Sequence, residues 1–446
     1  METVVTELAR YFLVIIMAFY TFWGFMIFTS SRKKREKLCK KQRKAMYLFY
    51  ILSNLVVYLN TEDEMILMLC GCGMILFCLS GLIYQRVYLK DNMPIFNHMQ
   101  MFFAISLVML ARLNPDTAKK QLCYIVVAMV CCLLIPVILE HYSKLDKDGV
   151  FYAVLGIILL AVVLFFGTEK YGAKNWINLG PVALQPSEFS KICFVIGFAG
   201  LLSIEKLTFK NVMRLSVFAA GYVMILVLEK DLGGALIFFV CYLFMLFVAT
   251  GQASYLLLGT AAGSLAATIA YRLFSHVRTR VLAWKDPWSN IDNQGYQVAQ
   301  SLFAIGTGGL FGMGLTQGMP NTVPIRESDF IFAAISEELG AFFALFMIMN
   351  YVGCFISFIR IAAKVKSMFQ KLVVLGFSVI IMFQTFLTLG GVIKFIPSTG
   401  VTLPLVSAGG SSVISMIVMF CMIGAINVLS SKEVSGQYEQ TAEETE

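Results

Sequence analysis

Long apolar runs are the feature of this sequence that most limits its fold. A helix needs about 20 apolar residues to cross a bilayer, and thirteen segments of the 446-residue chain come close to that length or exceed it. Hydrophobic residues make up 59% of the chain and charged residues 14%, whereas soluble domains carry roughly 45–50% and 25%. The sequence therefore predicts an all-α, polytopic integral membrane protein.

The predicted spans are separated by short polar loops. They cover about residues 11–31, 45–60, 66–84, 97–113, 121–140, 151–167, 187–203, 212–228, 233–250, 254–274, 330–358, 371–394 and 409–429. Because thirteen is an odd number, the two termini are expected on opposite sides of the membrane.

Basic residues indicate the orientation. The loop 32–44 holds nine Lys and Arg residues against one Glu, and cytoplasmic loops are enriched in such residues. This placement puts the N-terminus outside, and the later basic loops agree with a cytoplasmic C-terminus. The block is more typical of contact with anionic lipid than with nucleic acid. The segment 431–446 is polar and acidic, which predicts a disordered cytoplasmic tail.

Four polar intervals share the predicted outer face: 168–186, 229–232, 275–329 and 394–410. The densest motifs of the chain lie in or beside these intervals, whereas a transporter would be expected to place polar residues near the midplane in two related halves. The sequence contains no such repeat. The asymmetry indicates binding or chemistry at the outer leaflet.

The interval that begins the outer face contains Trp176, a residue typical of the headgroup region. Glu188 and Lys191 follow on a predicted helix at a spacing of three, so they can pair. Lys174 and Lys191 would offer cations to an anionic headgroup, although an interfacial turn with a structural ion pair explains the pattern equally well. The charged turn 229–234 is interpreted as structural.

The third interval ends in Asp329, directly before an apolar run. Arg278, Arg280 and Arg326 surround it in sequence, and Lys394 adds a cation from the fourth interval. The glycine-rich stretch 304–315 lacks the GK[ST] ending of a phosphate loop, so close backbone packing at a cavity wall is its expected role. From the residues alone, Asp329 is equally well explained as a helix N-cap. The prolines and glycines of 390–412 predict broken backbone along a cavity.

Five motifs in order then resemble one family. They read WINLGPVALQPSEFSK, EKDLGGAL, GYQVAQSLFAIGTGGLFGMGL, ESDFIFAAISEELG and IPSTGVTLPLVSAGGSS. The chain is similar to the SEDS proteins, the RodA/FtsW/SpoVE group of bacterial membrane glycosyltransferases that polymerise peptidoglycan from lipid II. The resemblance implies a ten-span core over 95–430, preceded by three extra spans in 1–94 with a basic cytoplasmic loop and followed by the tail 431–446.

The resemblance assigns the essential aspartate of the family to Asp329. It also implies a class B penicillin-binding protein as partner, alongside lipid II and the membrane. The residues predicted to contact substrate are Lys174, Trp176, Glu188, Lys191, Arg278, Arg280, Arg326, Glu338, Lys394 and Ser411. Two alternatives stay open: a flippase or transporter of the lipid-linked precursor, and a non-catalytic scaffold for a transpeptidase.

The chemistry of such a polymerase requires one carboxylate. Glycoside hydrolysis uses two, one of which protonates a poor leaving group, but a polyprenyl pyrophosphate already leaves readily. Cations must stabilise its charge, and one base must deprotonate the attacking hydroxyl. Lys, Arg or a divalent cation such as Mg or Mn would supply that positive charge. No protein metal site is predicted, since the three histidines are scattered.

Overall fold

The computed structural model is built from helices in a single chain. It describes every residue except 1, 89–91, 143, 171–172, 179, 181–182, 205–206, 292, 294 and 444–446. Within that part, the helices are α1 Glu2–Met26, α2 Arg32–Thr61, α3 Glu64–Val87, α4 Met93–Leu113, α5 Pro115–Cys132, α6 Ile135–His141, α7 Gly149–Phe166, α8 Pro186–Leu202, α9 Phe209–Leu228, α10 Leu232–Thr250, α11 Ala253–Leu273, α12 Ser275–Lys285, α13 Tyr296–Gly308, α14 Ile331–Lys364, α15 Met368–Val392 and α16 Gly410–Glu443.

Every predicted span falls on helical structure, with the span 121–140 divided between α5 and α6. The prediction of a helical, polytopic membrane protein is confirmed. Across the described residues, eleven helical segments are long and apolar enough to cross a bilayer. The predicted spans outside this set are α2, whose first half is strongly basic, and α8, which is 17 residues long. The figure of thirteen spans therefore stays a prediction.

Helix α4 is the most deeply buried of the candidate spanning helices among the described residues. In α4, 94% of the apolar window is buried inside the protein, whereas none of the corresponding window of α11 is. Buried helices carry polar side chains that bond to their neighbours. Asn97 Nδ2 of α4 donates to the Cys39 carbonyl at 3.0 Å, and Gln100 Nε2 donates to Ser80 Oγ at 2.7 Å. These bonds join α2 and α3 to α4.

The basic block 32–44 forms the first turns of α2, whereas the sequence predicts a loop. Lys, Arg, Glu, Leu and Gln are all good helix formers, and no proline or glycine interrupts the block. Its cations consequently lie on defined faces of a helix. At the other end of the chain, α16 continues to Glu443 through most of the segment predicted to be a disordered tail. That segment contains no proline to end the helix.

A small antiparallel sheet departs from the all-helical expectation. Its strands are β1 Thr168–Lys170, β2 Ala173–Asn178 and β3 Ala183–Leu184, in the order β1-β2-β3. The sequence predicts only an interfacial turn here. Pairing the strands satisfies backbone groups that lie beyond the helix ends, and the Lys174 amide donates to the Glu229 carbonyl at 3.0 Å. The sheet is thus joined to the turn between α9 and α10.

The glycine-rich stretch packs against a break in α14. Gly340 has φ +86°, which interrupts the helical geometry, and a Cβ on Gly312 would lie 2.2 Å from the Glu338 carbonyl oxygen. Amides 341 and 342 donate to carbonyls 309 and 310, and amides 313 and 314 donate to carbonyls 337 and 338, at 2.8–3.1 Å. The stretch therefore supplies the hydrogen bonds that the broken helix lacks.

Candidate active site

A cavity of about 330 Å³ lies where the four predicted outer intervals meet. Such a volume is typical of ligand sites, which measure roughly 300–1,000 Å³. Strand β2, the start of α8, the turn before α10, helices α12 and α13, the segment before α14 and the segment 398–402 all contribute lining residues. The prediction that the broken backbone of 390–412 lines a cavity is confirmed. The glycine-rich stretch is close-packed as expected, but the contacts described above place it against the break in α14 and not along this cavity.

Asp329 lies on the wall of the cavity, partly buried. Its Oδ1 accepts from Ser328 Oγ at 2.9 Å, while Oδ2 faces Gly400, at 3.6 Å from where a Cβ would stand. The residue that precedes α14 as its N-cap is Phe330, and it makes no side-chain cap bond. The interpretation of Asp329 as a helix cap is therefore wrong, and one of its oxygens is directed to the cavity.

Neighbouring charges act on Asp329 in opposite directions. Burial raises the pKa of this carboxyl, the Ser328 hydrogen bond and the Arg280 guanidinium lower it, and the Asp231 carboxylate raises it. Because burial is the largest cause, the net effect places the pKa of Asp329 above its ordinary value. A carboxyl with a raised pKa is a better proton acceptor once ionised.

Arg280 is held across the cavity by backbone carbonyls. Its Nη1 donates to the carbonyl oxygens of Thr399 at 2.8 Å and Ser398 at 3.4 Å. Its Nη2 lies on the same side of Gly400 as Asp329 Oδ2, at 3.7 Å from the position of a Cβ on that glycine. Both charged groups thus flank a residue without a side chain, which leaves the space between them accessible to a ligand.

The turn before α10 contributes the carboxylate of Asp231, which the sequence analysis interpreted as part of a structural turn. Asp231 Oδ1 accepts from the Gly234 amide at 2.8 Å, which caps α10, and Oδ2 accepts from Asn175 Nδ2 at 3.1 Å. Asp231, Asn175 and Lys230 all line the cavity. The sequence does show a charged EKDLGG turn, but charges and glycines are expected in any turn between two spans. Because the turn is far from Asp329 in sequence, the sequence does not indicate that the two lie close together.

Glu188 and Lys191 form the ion pair that their spacing predicts. Lys191 Nζ lies 2.8 Å from Glu188 Oε1, and both side chains are buried. The pair belongs to a wider network, because Lys191 also donates to Gln384 Oε1 at 2.8 Å and Ser415 Oγ donates to Glu188 Oε2 at 2.8 Å. Buried charges are tolerated when such partners are complete. The network forms the part of the cavity wall that lies within the helices.

Glu327, the carboxylate nearest Asp329 in sequence, is oriented elsewhere. Its Oε2 accepts from Thr117 Oγ1 at 2.9 Å, and its carbonyl accepts from the Ala408 amide at 2.8 Å. It does not line the cavity. The geometry therefore separates two carboxylates that composition and charge alone do not distinguish.

Five of the predicted site residues meet at this cavity, and six do not. Those that line it are Asp329, Trp176, Glu188, Lys191 and Arg280. The residues outside its lining are Lys174, Arg278, Arg326, Glu338, Lys394 and Ser411. Ser411 is linked to the lining by one hydrogen bond, because its hydroxyl accepts from the backbone amide of Gln185 at 3.0 Å.

The other residues outside the lining have contacts of a different kind. Lys174 Nζ donates to the Leu164 carbonyl at 2.7 Å, and the Lys394 carbonyl accepts from Trp284 Nε1 at 3.1 Å. Glu338 is fully buried and lies 3.1 Å from Arg112 Nε, while the Thr316 amide donates to its other oxygen at 3.2 Å. Arg278 is exposed. A substrate contact by Glu338 has no geometric support, because both of its carboxylate oxygens are occupied by Arg112 and by the Thr316 amide.

The residues of the cavity could bind a divalent cation only together with a ligand that supplies further oxygen atoms. The described residues include no cluster of three or more His, Cys, Asp or Glu side chains able to hold a metal. Asp329 and Asp231 both face the cavity, and Mg²⁺ is commonly bound by one or two carboxylates together with phosphate oxygens of a substrate. The residues present thus fit an ion that arrives with a phosphorylated ligand, and they do not form a cage for an ion alone.

Comparison with known proteins identifies relatives of most of the chain. The family model of cell cycle proteins for FtsW, RodA and SpoVE matches residues 89–432. Peptidoglycan glycosyltransferase RodA of Mycobacterium tuberculosis is 34% identical over 329 residues, which cover 70% of each chain. Stage V sporulation protein E of Bacillus subtilis is 31% identical over 315 residues, covering 67% of this chain and 84% of the relative.

Solved structures resemble the same part of the molecule. A chain from a peptidoglycan synthase complex that coordinates polymerization and crosslinking superposes with a TM-score of 0.64 at 25% identity, covering 75% of this chain and 97% of that one. The rod shape determining protein RodA of Thermus thermophilus gives a TM-score of 0.54 at 25% identity, covering 75% and 95%. The family match begins at residue 89, after the first three helices.

Proposed function

The chain belongs to the FtsW, RodA and SpoVE family of cell cycle proteins, and we propose that it is a peptidoglycan glycosyltransferase that polymerises lipid II. The main structural support for this activity is the position of Asp329. This carboxylate has one oxygen directed to a cavity that also holds Arg280, Lys230 and a buried Glu188–Lys191 pair. The protein is a multi-pass protein of the bacterial cytoplasmic membrane, and we place the cavity on the outer face.

Asp329 is the proposed general base. Its carboxylate removes the proton of a sugar hydroxyl on one lipid-linked chain, and that oxygen attacks the anomeric carbon of the other. The bond from the anomeric carbon to pyrophosphate breaks, and the polyprenyl pyrophosphate leaves with the bonding electrons. A single displacement inverts the anomeric centre. A buried carboxyl with a raised pKa suits this role, because its ionised form accepts a proton more readily.

The cations of the cavity are proposed to receive the leaving group. Arg280 presents a guanidinium that is already positioned by the Ser398 and Thr399 carbonyls, so little reorganisation is needed as charge develops. Lys230 and Lys191 line the same cavity. A divalent cation such as Mg or Mn, held by Asp231 together with pyrophosphate oxygens, would add positive charge to the leaving group.

Trp176 and the Glu188–Lys191 network are proposed to hold the substrate. The indole lies at the cavity beside β2, where an aromatic ring can pack against a sugar or lie at the headgroup level. The predicted contacts of Lys174, Arg278, Arg326, Lys394 and Ser411 would require the substrate to extend beyond the cavity. A class B penicillin-binding protein is the proposed partner, supported by the likeness to a chain from a peptidoglycan synthase complex.

The test compares two neighbouring carboxylates in purified protein reconstituted with lipid II. Asp329→Asn is expected to lower the polymerisation rate by about 10²- to 10⁴-fold, the usual contribution of general base catalysis. Glu327→Gln serves as the matched control, since its partner Thr117 lies away from the cavity, and near-normal activity is expected.

Normal glycan formation by a folded Asp329→Asn protein would contradict the assignment. Translocation of lipid II without any product in the wild type would favour the transporter alternative. If the chain were only a scaffold, neither substitution would change cell wall synthesis, although the partner would still need the chain for it.

A further inference from the structure

A second cavity, of about 140 Å³, lies where α2 and α3 meet α4, the first helix of the family core. Its lining residues are Arg32, Arg35, Glu36, Cys39, Lys40 and Arg43 of α2, Gln85 of α3, and Met93 and Pro94 of α4. Arg112, at the far end of α4, contacts Thr316 and Gly318, which follow the glycine-rich stretch. Since α4 spans 21 residues at about 1.5 Å per residue, the two ends lie about 30 Å apart. The basic cavity and the Asp329 cavity share no lining residue, so they are separate sites.

The helical form of the basic block brings its charges together. The α2 residues that line the cavity follow the spacing i, i+3, i+4, i+7, i+8 and i+11, which is the pattern of one helix face; four of them are Arg32, Arg35, Lys40 and Arg43. Against these four cations the lining offers one carboxylate, Glu36, which leaves a formal excess of three positive charges. Other cations of the block, such as Lys33 and Lys37, do not line the cavity. The basic residues of the block are thus divided between the face of α2 that lines the cavity and the rest of the helix.

The start of α2 adds to this positive potential. The first turn contains no acidic residue, and the N-cap Ser31 makes no side-chain cap bond. The amino end of a helix carries a partial positive charge that disfavours cations and stabilises anions. Arg32 and Arg35 therefore lie in an unfavourable field that an anion in the adjacent cavity would neutralise.

Arg43 lies against two of the other helices that form the cavity. Its Nη2 is 3.2 Å from Met93 Sδ, and the Gln85 amide, with its oxygen turned to the guanidinium, accepts at 2.6 Å. Its Nε is buried and has no hydrogen-bond partner among the described residues. The guanidinium is thus fixed in place by residues from α3 and α4, while one of its donors stays unused.

We propose that this cavity binds a phosphate group. Arginine forks match the geometry of phosphate oxygens and bind them with charge-assisted bonds, and three arginines line a space that carries excess positive charge. Two sources offer the same chemistry: the phosphodiester of an anionic phospholipid, reached at the ends of membrane helices, and a soluble phosphate. The site is independent of the glycosyltransferase reaction.

Two charge-matched double variants test the proposal in the purified full-length protein. Arg35→Gln/Arg43→Gln removes two lining cations, and Lys33→Gln/Lys37→Gln removes two cations of the same block that do not line the cavity. Thermal unfolding is measured during titration with short-chain phosphatidylglycerol, short-chain phosphatidylcholine or inorganic phosphate. We expect the lining variant to weaken the apparent affinity for the phosphate-bearing probe by about tenfold or more, and the control to change it by about twofold or less.

The three probes separate the two sources. Stabilisation by phosphatidylglycerol alone supports a phospholipid site, and stabilisation by inorganic phosphate that also competes with the lipid supports a soluble ligand. Equal losses in the two double variants would show a diffuse surface attraction and overturn the proposal, as would the absence of any phosphate-dependent stabilisation in the wild type.

A gain-of-affinity variant covers the case in which the lining double variant fails to fold. Glu36→Gln removes the one carboxylate of the lining and raises the excess positive charge. Its apparent affinity for the same probe should increase by roughly threefold or more, consistent with a lost like-charge neighbour. An unchanged or weaker affinity in folded Glu36→Gln protein would contradict the proposal.

Discussion

At the scale of single residues, the acidity of Asp329 is set by neighbours from distant parts of the chain. Arg280 lies on α12 and Asp231 lies before α10, and both line the same cavity as Asp329. The arginine lowers the pKa of Asp329 and the aspartate raises it. A general base acts only when ionised, so these two residues should change the pH dependence of the reaction in opposite directions.

The prediction concerns the acid limb of the pH profile of kcat at saturating lipid II. In the wild type this limb should lie above the ordinary aspartate value of 3.8, because burial raises the pKa of Asp329. Asp231→Asn should move the limb to lower pH and Arg280→Gln should move it to higher pH. Arg278→Gln, an exposed change on the same helix, is the control and should not move it. Shifts of the same sign in both cavity variants would contradict this origin.

Glu229 carries a second pH dependence, which belongs to stability. Its side chain is buried, and neither carboxylate oxygen has a hydrogen-bond partner among the residues that the structure describes. Burial and the nearby Asp231 raise the pKa of Glu229 from 4.5 to about 8. The folded protein therefore holds a proton here that the unfolded chain releases at lower pH, and stability falls as the pH rises between these two values.

Glu229→Gln should remove this dependence. We expect the variant to be more stable than the wild type above pH 8 by an amount on the order of a few kcal/mol, and to differ little below pH 4.5. Thermal unfolding in detergent at several pH values measures the difference. A constant difference across the range would show that the glutamate acts through packing and not through its charge.

At the scale of elements, the break in α14 explains why the glycine-rich stretch has its composition. Backbone groups inside a membrane must be bonded, and the stretch supplies partners on both sides of Gly340. A Cβ at Gly340 would lie 2.2 Å from the Gly312 nitrogen, and the φ of +86° is disfavoured for any other residue. The two segments fit only when both residues lack a side chain.

Gly340→Ala is accordingly expected to destabilise the protein by roughly 2 kcal/mol or more. Gly306→Ala is the matched control, because a Cβ there meets nothing within 4 Å, and alanine in a helix should stabilise slightly. Unfolding temperatures of the two variants in one detergent test the contrast. Equal stabilities would show that the break relaxes without cost.

The same elements show what could be predicted from the sequence. The Glu188–Lys191 pair follows from local spacing on one helix, and Asp329 stands out because a carboxylate begins an apolar run. The Arg112–Glu338 pair joins residues 226 positions apart, and no local pattern predicts it. The position of Asp231 in the cavity likewise depends on tertiary packing. Local periodicity therefore predicts the elements and some pairs, while convergence at the site requires the fold.

At the scale of the whole molecule, the first three helices extend the family core and bond to both of its ends. Near the Asp329 side, Arg10 Nη1 donates to the Gly312 carbonyl at 3.3 Å, and Gln317 Nε2 donates to Asn60 Oδ1 at 3.4 Å. Near the other end, α2 and α3 form the basic cavity together with α4. The extension thus packs along the full height of the core and fixes the position of the glycine-rich stretch.

The orientation of the whole protein is the last prediction. An odd number of spans and a cytoplasmic basic block place the N-terminus outside and the C-terminus inside. An epitope tag at the N-terminus should be removed by protease added to intact spheroplasts, and a fluorescent protein fused at the C-terminus should stay protected and fluoresce. The Asp329 cavity would then face the outer leaflet, where the proposed substrate is presented.

This experiment tests whether the number of spans is odd or even. Tags on the same side would require an even number of spans, and the segments that fail the apolar length test, α2 and α8, would be the first to re-examine. Lysed cells provide the control, because the protease must then remove both tags. Ser53 and Asn54 in the apolar half of α2 are buried, as are Glu188 and Lys191 of α8, so these polar residues lie inside the protein and not in lipid. We therefore expect both to span, with the termini on opposite sides.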